Sequence, residues 1–207
     1  MTALSPIPAA LIDRALLWHW LADLFLAPPG PAQLQALRGS AGVEWRAALA
    51  AEPDFRNAIK QIDCVLDAGD AADLGSTLTI AFNRMFLGLG GKRTLSPCES
   101  AWVGTRRLYQ APVSEIAALL RVCDLTLAED CSEPADHLAV ELMLLAHLEA
   151  SGDPRAEDLV ARLASWTPEL LTAVKAVDST GFWAGAADLL SAALARSLNR
   201  KPEERTV

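Results

Sequence analysis

The stretch from Glu133 to Leu148, E-P-A-D-H-L-A-V-E-L-M-L-L-A-H-L, narrows the folds open to this chain more than any other segment. Pro134 suits a first helical position, where its missing N–H leaves nothing unpaired and its fixed φ already matches. A helix is therefore expected to open there, with the Asp136 carboxylate in its first turn, near the positive end of the helix dipole. From Leu138 to Leu148 every residue except Glu141 and His147 is apolar. A helix without a wide polar face is buried on most sides. The run is shorter than the roughly 20 apolar residues of a membrane span. It reads as the central helix of a helical bundle, with a Pro-Ala-Asp-His corner on its rim as the first candidate site.

The rest of the chain supports a helical bundle. Its 207 residues are 52% apolar and 21% charged, enough for a well-filled core and unlike a disordered chain. Leu11, Ala15, Trp18, Ala22 and Phe25 recur at helical spacing within a helix expected from Pro8 to Leu26, which Ala-Pro-Pro-Gly-Pro at 27–31 ends. Short helices follow at Pro31 to Arg38 and Glu44 to Ala51, separated by Gly39-Ser40-Ala41-Gly42. Pro53-Asp54 starts a helix bearing Phe55, Ile59, Ile62 and Leu66, and Ala71 to Leu87 aligns Leu74, Leu78, Phe82 and Met85 or Phe86. Further starts are read at Pro112, Asp153-Pro154, Thr167-Pro168 and after Ser179-Thr180-Gly181. No segment alternates like a strand. The expectation is an all-α bundle of about ten helices over residues 1–207, with two sub-lobes, 1–130 and 133–200, and a frayed, charged tail from Arg200.

Charge and cysteine usage bound the partners. A net charge of −8 argues against nucleic acid or an anionic membrane surface. Cys64, Cys98, Cys123 and Cys131 form no C-x-x-C pair and fit no zinc spacing, which suggests a reducing compartment. The N-terminus shows no basic region followed by an unbroken apolar one, so a cytoplasmic location is expected. The run Gly88–Lys92 is not a phosphate loop. Phe86 stands where the first glycine is needed, Arg93 follows the lysine in place of Ser or Thr, and the run follows a helix.

Three stretches together resemble the TorD/DmsD family of cytoplasmic chaperones. They are A-F-N-R-M-F-L-G from Ala81 to Gly88, L-S-P-C-E-S-A-W from Leu95 to Trp102, and E-P-A-D-H-L-A-V-E-L from Glu133 to Leu142. Their order and spacing match the family, as do the opening F-L-A-P-P and the closing F-W-A-G-A-A-D-L-L. The resemblance implies a non-enzymatic, two-part helical bundle. Such a protein binds the twin-arginine signal peptide of a molybdopterin-dependent oxidoreductase and holds the apoprotein until its cofactor is inserted. The sequence carries no nucleotide or molybdopterin motif, so no cofactor of the chaperone's own is expected, nor stable membrane insertion, and the assembly expected is a monomer or a lobe-swapped dimer. Two positions depart from the pattern. Cys98 replaces an aromatic residue, and Asp124 stands where relatives often have glycine, at the end of the Pro112 helix.

A twin-arginine peptide joins a basic segment to an apolar one, so its receptor needs apolar surface and carboxylates. Phe82, Met85, Phe86, Pro97 and Trp102 supply the first, and Glu99, Asp136 and Glu133 the second. Ser100, Pro134 and His137 complete the expected peptide-binding set. Each residue also has a plain structural role: core packing for the phenylalanines, dipole complementation for Asp136, helix initiation for Glu99-Ser100, and a carbonyl partner for His137. Two alternatives remain at this point. One is an assembly chaperone serving a nitrate-reductase-type client through a signal-less N-terminus. The other is a metal-dependent helical enzyme using His137 and Glu141, four apart on one face. Against the second, His147 lies about 1000° of rotation and roughly 15 Å along the axis from His137.

Overall fold

The computed structural model describes residues 13–89, 94–108, 110–128 and 131–200. The expected start of the first helix at Pro8, Gly90 to Arg93 of the glycine-rich run, Tyr109, and the tail from Lys201 lie outside them. Among the described residues nine α-helices and one 3₁₀ turn are formed, and the all-α expectation holds. In order they are α1 (Arg14–Leu26), α2 (Pro31–Arg38), α3 (Ser40–Ala51), α4 (Arg56–Leu66), α5 (Ala71–Phe86), the 3₁₀ turn (Glu99–Ala101), α6 (Ala111–Val122), α7 (Leu138–Ala150), α8 (Arg155–Val177) and α9 (Phe182–Leu198). Among the described residues the one β-type pairing is an isolated antiparallel bridge between Cys98 and His137.

α7 lies at the centre, as its composition requires. Leu138, Leu142, Leu145 and Ala146 are fully buried, and the helix packs against α1 on one side and α8 on another. α9 packs on α8 and α4, closing the core. Gly185 makes this possible, because a Cβ there would sit 2.8 Å from Ile62 Cγ1 and 3.1 Å from the Ala58 carbonyl of α4. Trp183 joins the two sides of the core. Its ring meets Phe182 and Phe82, and its buried indole N–H donates to the Leu24 carbonyl at 3.0 Å.

Three element boundaries differ from the sequence expectation. α3 starts at Ser40 and not Glu44. Gly42 serves there for close packing and does not break the helix, since a Cβ on it would strike the Ala36 and Leu37 carbonyls at the end of α2. Thr167-Pro168 starts no new helix, and α8 runs through it. Leu163, Trp166, Leu170, Leu171 and Val174 are buried on both sides of Pro168, and that burial outweighs the roughly 3 kcal/mol cost of an interior proline. Finally, α7 begins at Leu138, with His137 as its N-cap, and Pro134 lies in the preceding turn. Asp136 therefore occupies no first turn of α7. Its carboxylate is directed to another element.

Candidate functional site

Four backbone and side-chain bonds tie the three motif segments together. The Leu95 N–H donates to the Met85 carbonyl at the end of α5, at 2.8 Å. The Leu138 N–H donates to the Pro97 carbonyl at 2.7 Å, and the Glu99 N–H to the Asp136 carbonyl at 2.9 Å. The Asp136 carboxylate then accepts the Ser100 N–H at 2.9 Å through Oδ2. These bonds explain the late start of α7. A helix N-terminus leaves its first N–H groups unpaired. Here Leu138 is satisfied by the loop carbonyl, and Ala139 by the ring Nδ1 of His137 at 3.2 Å. Asp136 does the corresponding service for the 3₁₀ turn. The Leu95–Trp102 loop and the Pro134–His137 turn thus cap each other.

The expected site residues divide by exposure. Phe82, Met85 and Phe86 are buried, Phe82 and Phe86 with centroids 4.9 Å apart and Phe86 edge-on to Phe25. Pro97, Ser100 and Asp136 are buried in the loop junction, and His137 is only 4% exposed. Trp102 and Pro134 are partly exposed, with the Trp102 indole N–H bonded to the Ser96 carbonyl at 2.7 Å. The junction thus brings all ten residues into one connected region, with most of them beneath the surface. Neither a cleft of about 510 Å³ where the end of α7 and the start of α8 meet Arg14 and the end of α9, nor a hollow of about 180 Å³ beside Trp20, is lined by any of them.

Glu99 is held by a residue that the sequence does not single out. Arg162 of α8 donates from Nε to Glu99 Oε2 at 2.8 Å, and its Nη2 lies 2.7 Å from the same oxygen. Nη2 also lies 2.8 Å from Oε2 of Glu115 on α6. Burial pushes the Glu99 carboxyl above its ordinary range, and Arg162 pulls it back. Deeper in, Glu141 is fully buried and accepts the Trp166 indole N–H at 3.4 Å. Burial, reinforced by Glu99, raises its proton affinity well above that of an ordinary glutamate. Three buried side-chain atoms here have no hydrogen-bond partner among the described residues: Ser100 Oγ, Asp136 Oδ1 and Glu141 Oε1.

Burial acts in the opposite sense on His137, lowering its pKa to about 4 despite Asp136 next to it. The ring is neutral, its Nδ1 is engaged in the cap, and its Nε2 lies 3.7 Å from Glu133 Oε2. Cys98 is buried, and its thiol is pushed up to about 11 by burial. All four cysteines are free thiols. Among the described residues no three His, Cys, Asp or Glu side chains are grouped to hold a metal, and no helix is long and apolar enough to cross a membrane.

Arg162, Glu115 and Trp166 belong to the site but stand in ordinary amphipathic helix sequence. Arg162 and Glu99 are 63 residues apart, and only the packing of α8 against the loop joins them.

The family model described as nitrate reductase delta subunit matches residues 45–176. The protein named Chaperone protein TorD of Escherichia coli (strain K12 / DH10B) is 30% identical over 189 residues, covering 85% of this chain and 90% of the relative. The proteins of the same name from Escherichia coli O139:H28 and Shigella dysenteriae serotype 1 are 29% identical over 187 residues, with the same coverage of both chains.

Proposed function

Because the chain belongs to the TorD family of chaperones, we propose that it is a client-specific, non-catalytic chaperone acting in the cytoplasm on a molybdopterin-dependent oxidoreductase. It receives the client's twin-arginine signal peptide and holds the apoprotein until the cofactor is inserted. The observation that supports this reading best is the meeting of three separated segments, the end of α5, the Leu95–Trp102 loop and the start of α7, through mutually capping bonds. Irregular backbone held this firmly is a rigid platform for recognition.

In this reading Trp102, Pro134 and the part-exposed Glu133 contact the peptide at the rim. Phe82, Met85, Phe86 and Pro97 lie beneath as the apolar floor, with Met85 able to adapt to different peptides. Asp136, Ser100 and His137 hold the two backbone segments in register, and Glu99 and Asp136 supply the negative field that a basic segment requires. The test is reconstitution of a purified cofactor-free oxidoreductase. With its cognate client, the chaperone should raise the yield of active enzyme after molybdopterin cofactor is added, and should leave the activity of already loaded enzyme unchanged. No gain in yield with any molybdoenzyme partner would contradict the role.

The description of the matching family model favours a second reading, an assembly chaperone for a nitrate-reductase-type client recognised through an N-terminus without an export signal. Binding to such an N-terminal peptide, in preference to any twin-arginine peptide, would select it.

A further inference from the structure

The Arg162 site has more carboxyl groups than its single guanidinium uses. Glu99 and Glu115 contact Arg162 directly, and both Asp136 and Glu141 are near enough to act electrostatically on Glu99. Asp136 and Glu141 are 0% exposed, and each keeps one carboxyl oxygen without a hydrogen-bond partner among the described residues. A buried unpartnered acceptor is costly, so groups of this kind mark a place where a further donor is received. The site is not sealed. Side-chain exposure is 25% for Arg162 and 56% for Glu115, so the guanidinium is reached from solvent along the Glu115 side.

Arg162 also has somewhere else to go. The exposed Asp158 precedes it by four residues on α8, the helical spacing and order that favour an acid–base pair. A long side chain bonded inside the site, with an exposed carboxylate one turn back on its own helix, can vacate the site at small cost when another cation takes its place.

We propose that the Glu99–Glu115 cradle is a binding site for an external guanidinium group, which Arg162 occupies in the free protein and yields to an arginine of the client. Arg162 is thus an internal competitor. It keeps the buried Glu99 carboxylate paired when no client is present, and it sets the threshold that a basic segment must exceed. A peptide lacking arginines cannot displace it. The identity of the incoming arginine rests on the reading of the client as a twin-arginine peptide, whereas the guanidinium site itself does not.

The site can be tested without any client. Methylguanidinium chloride at non-denaturing concentration is titrated into wild type, R162Q and R162Q/E99Q while Tm is followed, with methylammonium chloride as the control cation. A saturable rise in Tm confined to R162Q with methylguanidinium supports the site. The same response in all three proteins, or none in R162Q, overturns it. A second arm uses the wild-type protein and so does not depend on a variant folding. The Arg162 Nε–H resonance is followed by NMR as a bound signal peptide is compared with its arginine-to-alanine version. Loss of the Glu99-bonded signal with the arginine peptide, and its retention with the alanine peptide, supports displacement, whereas retention with bound arginine peptide overturns it. With the competitor removed, R162Q should bind the arginine peptide about tenfold more tightly. If no peptide binds, the client reading fails, and the methylguanidinium result still decides the site.

Discussion

Glu141 and His137, four residues apart at the start of α7, respond to burial in opposite directions, and each couples stability to pH. Glu141 has a raised folded-state pKa, so its favourable contribution is complete below about pH 4.5 and is lost as pH rises and the unfolded chain ionises. His137 has a folded-state pKa of about 4, so its contribution is complete above about pH 6.5 and is lost as pH falls, by roughly 3 kcal/mol in all. Glu141→Gln keeps an acceptor for Trp166 and removes the ionisation. It should raise Tm at pH 8 while leaving Tm at pH 4.5 nearly unchanged, as measured by calorimetric melts at the two pH values. A second prediction concerns Asp124, which adopts φ +55° just past the end of α6, where the Leu125 N–H returns to the Leu120 carbonyl. This is the left-handed C-terminal turn that favours glycine. Asp124→Gly should stabilise the protein by about 0.5–1 kcal/mol, read from urea unfolding.

At the scale of elements, the mutual capping of loop and helix gives Asp136 two separable roles. Asp136→Ala orphans the buried Ser100 N–H and should cost roughly 1–3 kcal/mol, with faster hydrogen exchange at Glu99 and Ser100. Asp136→Asn keeps an acceptor for Ser100, so its stability and exchange should stay near wild type while binding of an arginine peptide weakens. This junction also marks what could be read from sequence alone. The burial of α7 was legible because Leu138 to Leu148 has no polar face. The three motif segments were legible as a group because their order and spacing resemble a family. The start of α7 was not, because Pro134 is a good helix opener in isolation, and only the Pro97 carbonyl, 41 residues earlier, shows why the helix waits until Leu138. Gly42 and Pro168 differ from expectation for the same reason: local propensity favours a break, and packing against a neighbouring element decides otherwise. Arg162 left no local signal, since its meaning comes from Glu99 across 63 residues.

At the scale of the whole molecule, α7 packed between α1 and α8 supports a rim on which two loop segments and α8 meet. The account holds that this rim reads an arginine-bearing, apolar peptide and performs no chemistry on it. The direct test is calorimetric titration of the folded protein with twin-arginine signal peptides of molybdoenzymes, each beside a version with both arginines replaced by alanine. The account predicts one-to-one binding to a cognate peptide and a marked loss of affinity on arginine replacement. Equal binding of both versions, or binding of neither by any candidate, would contradict it.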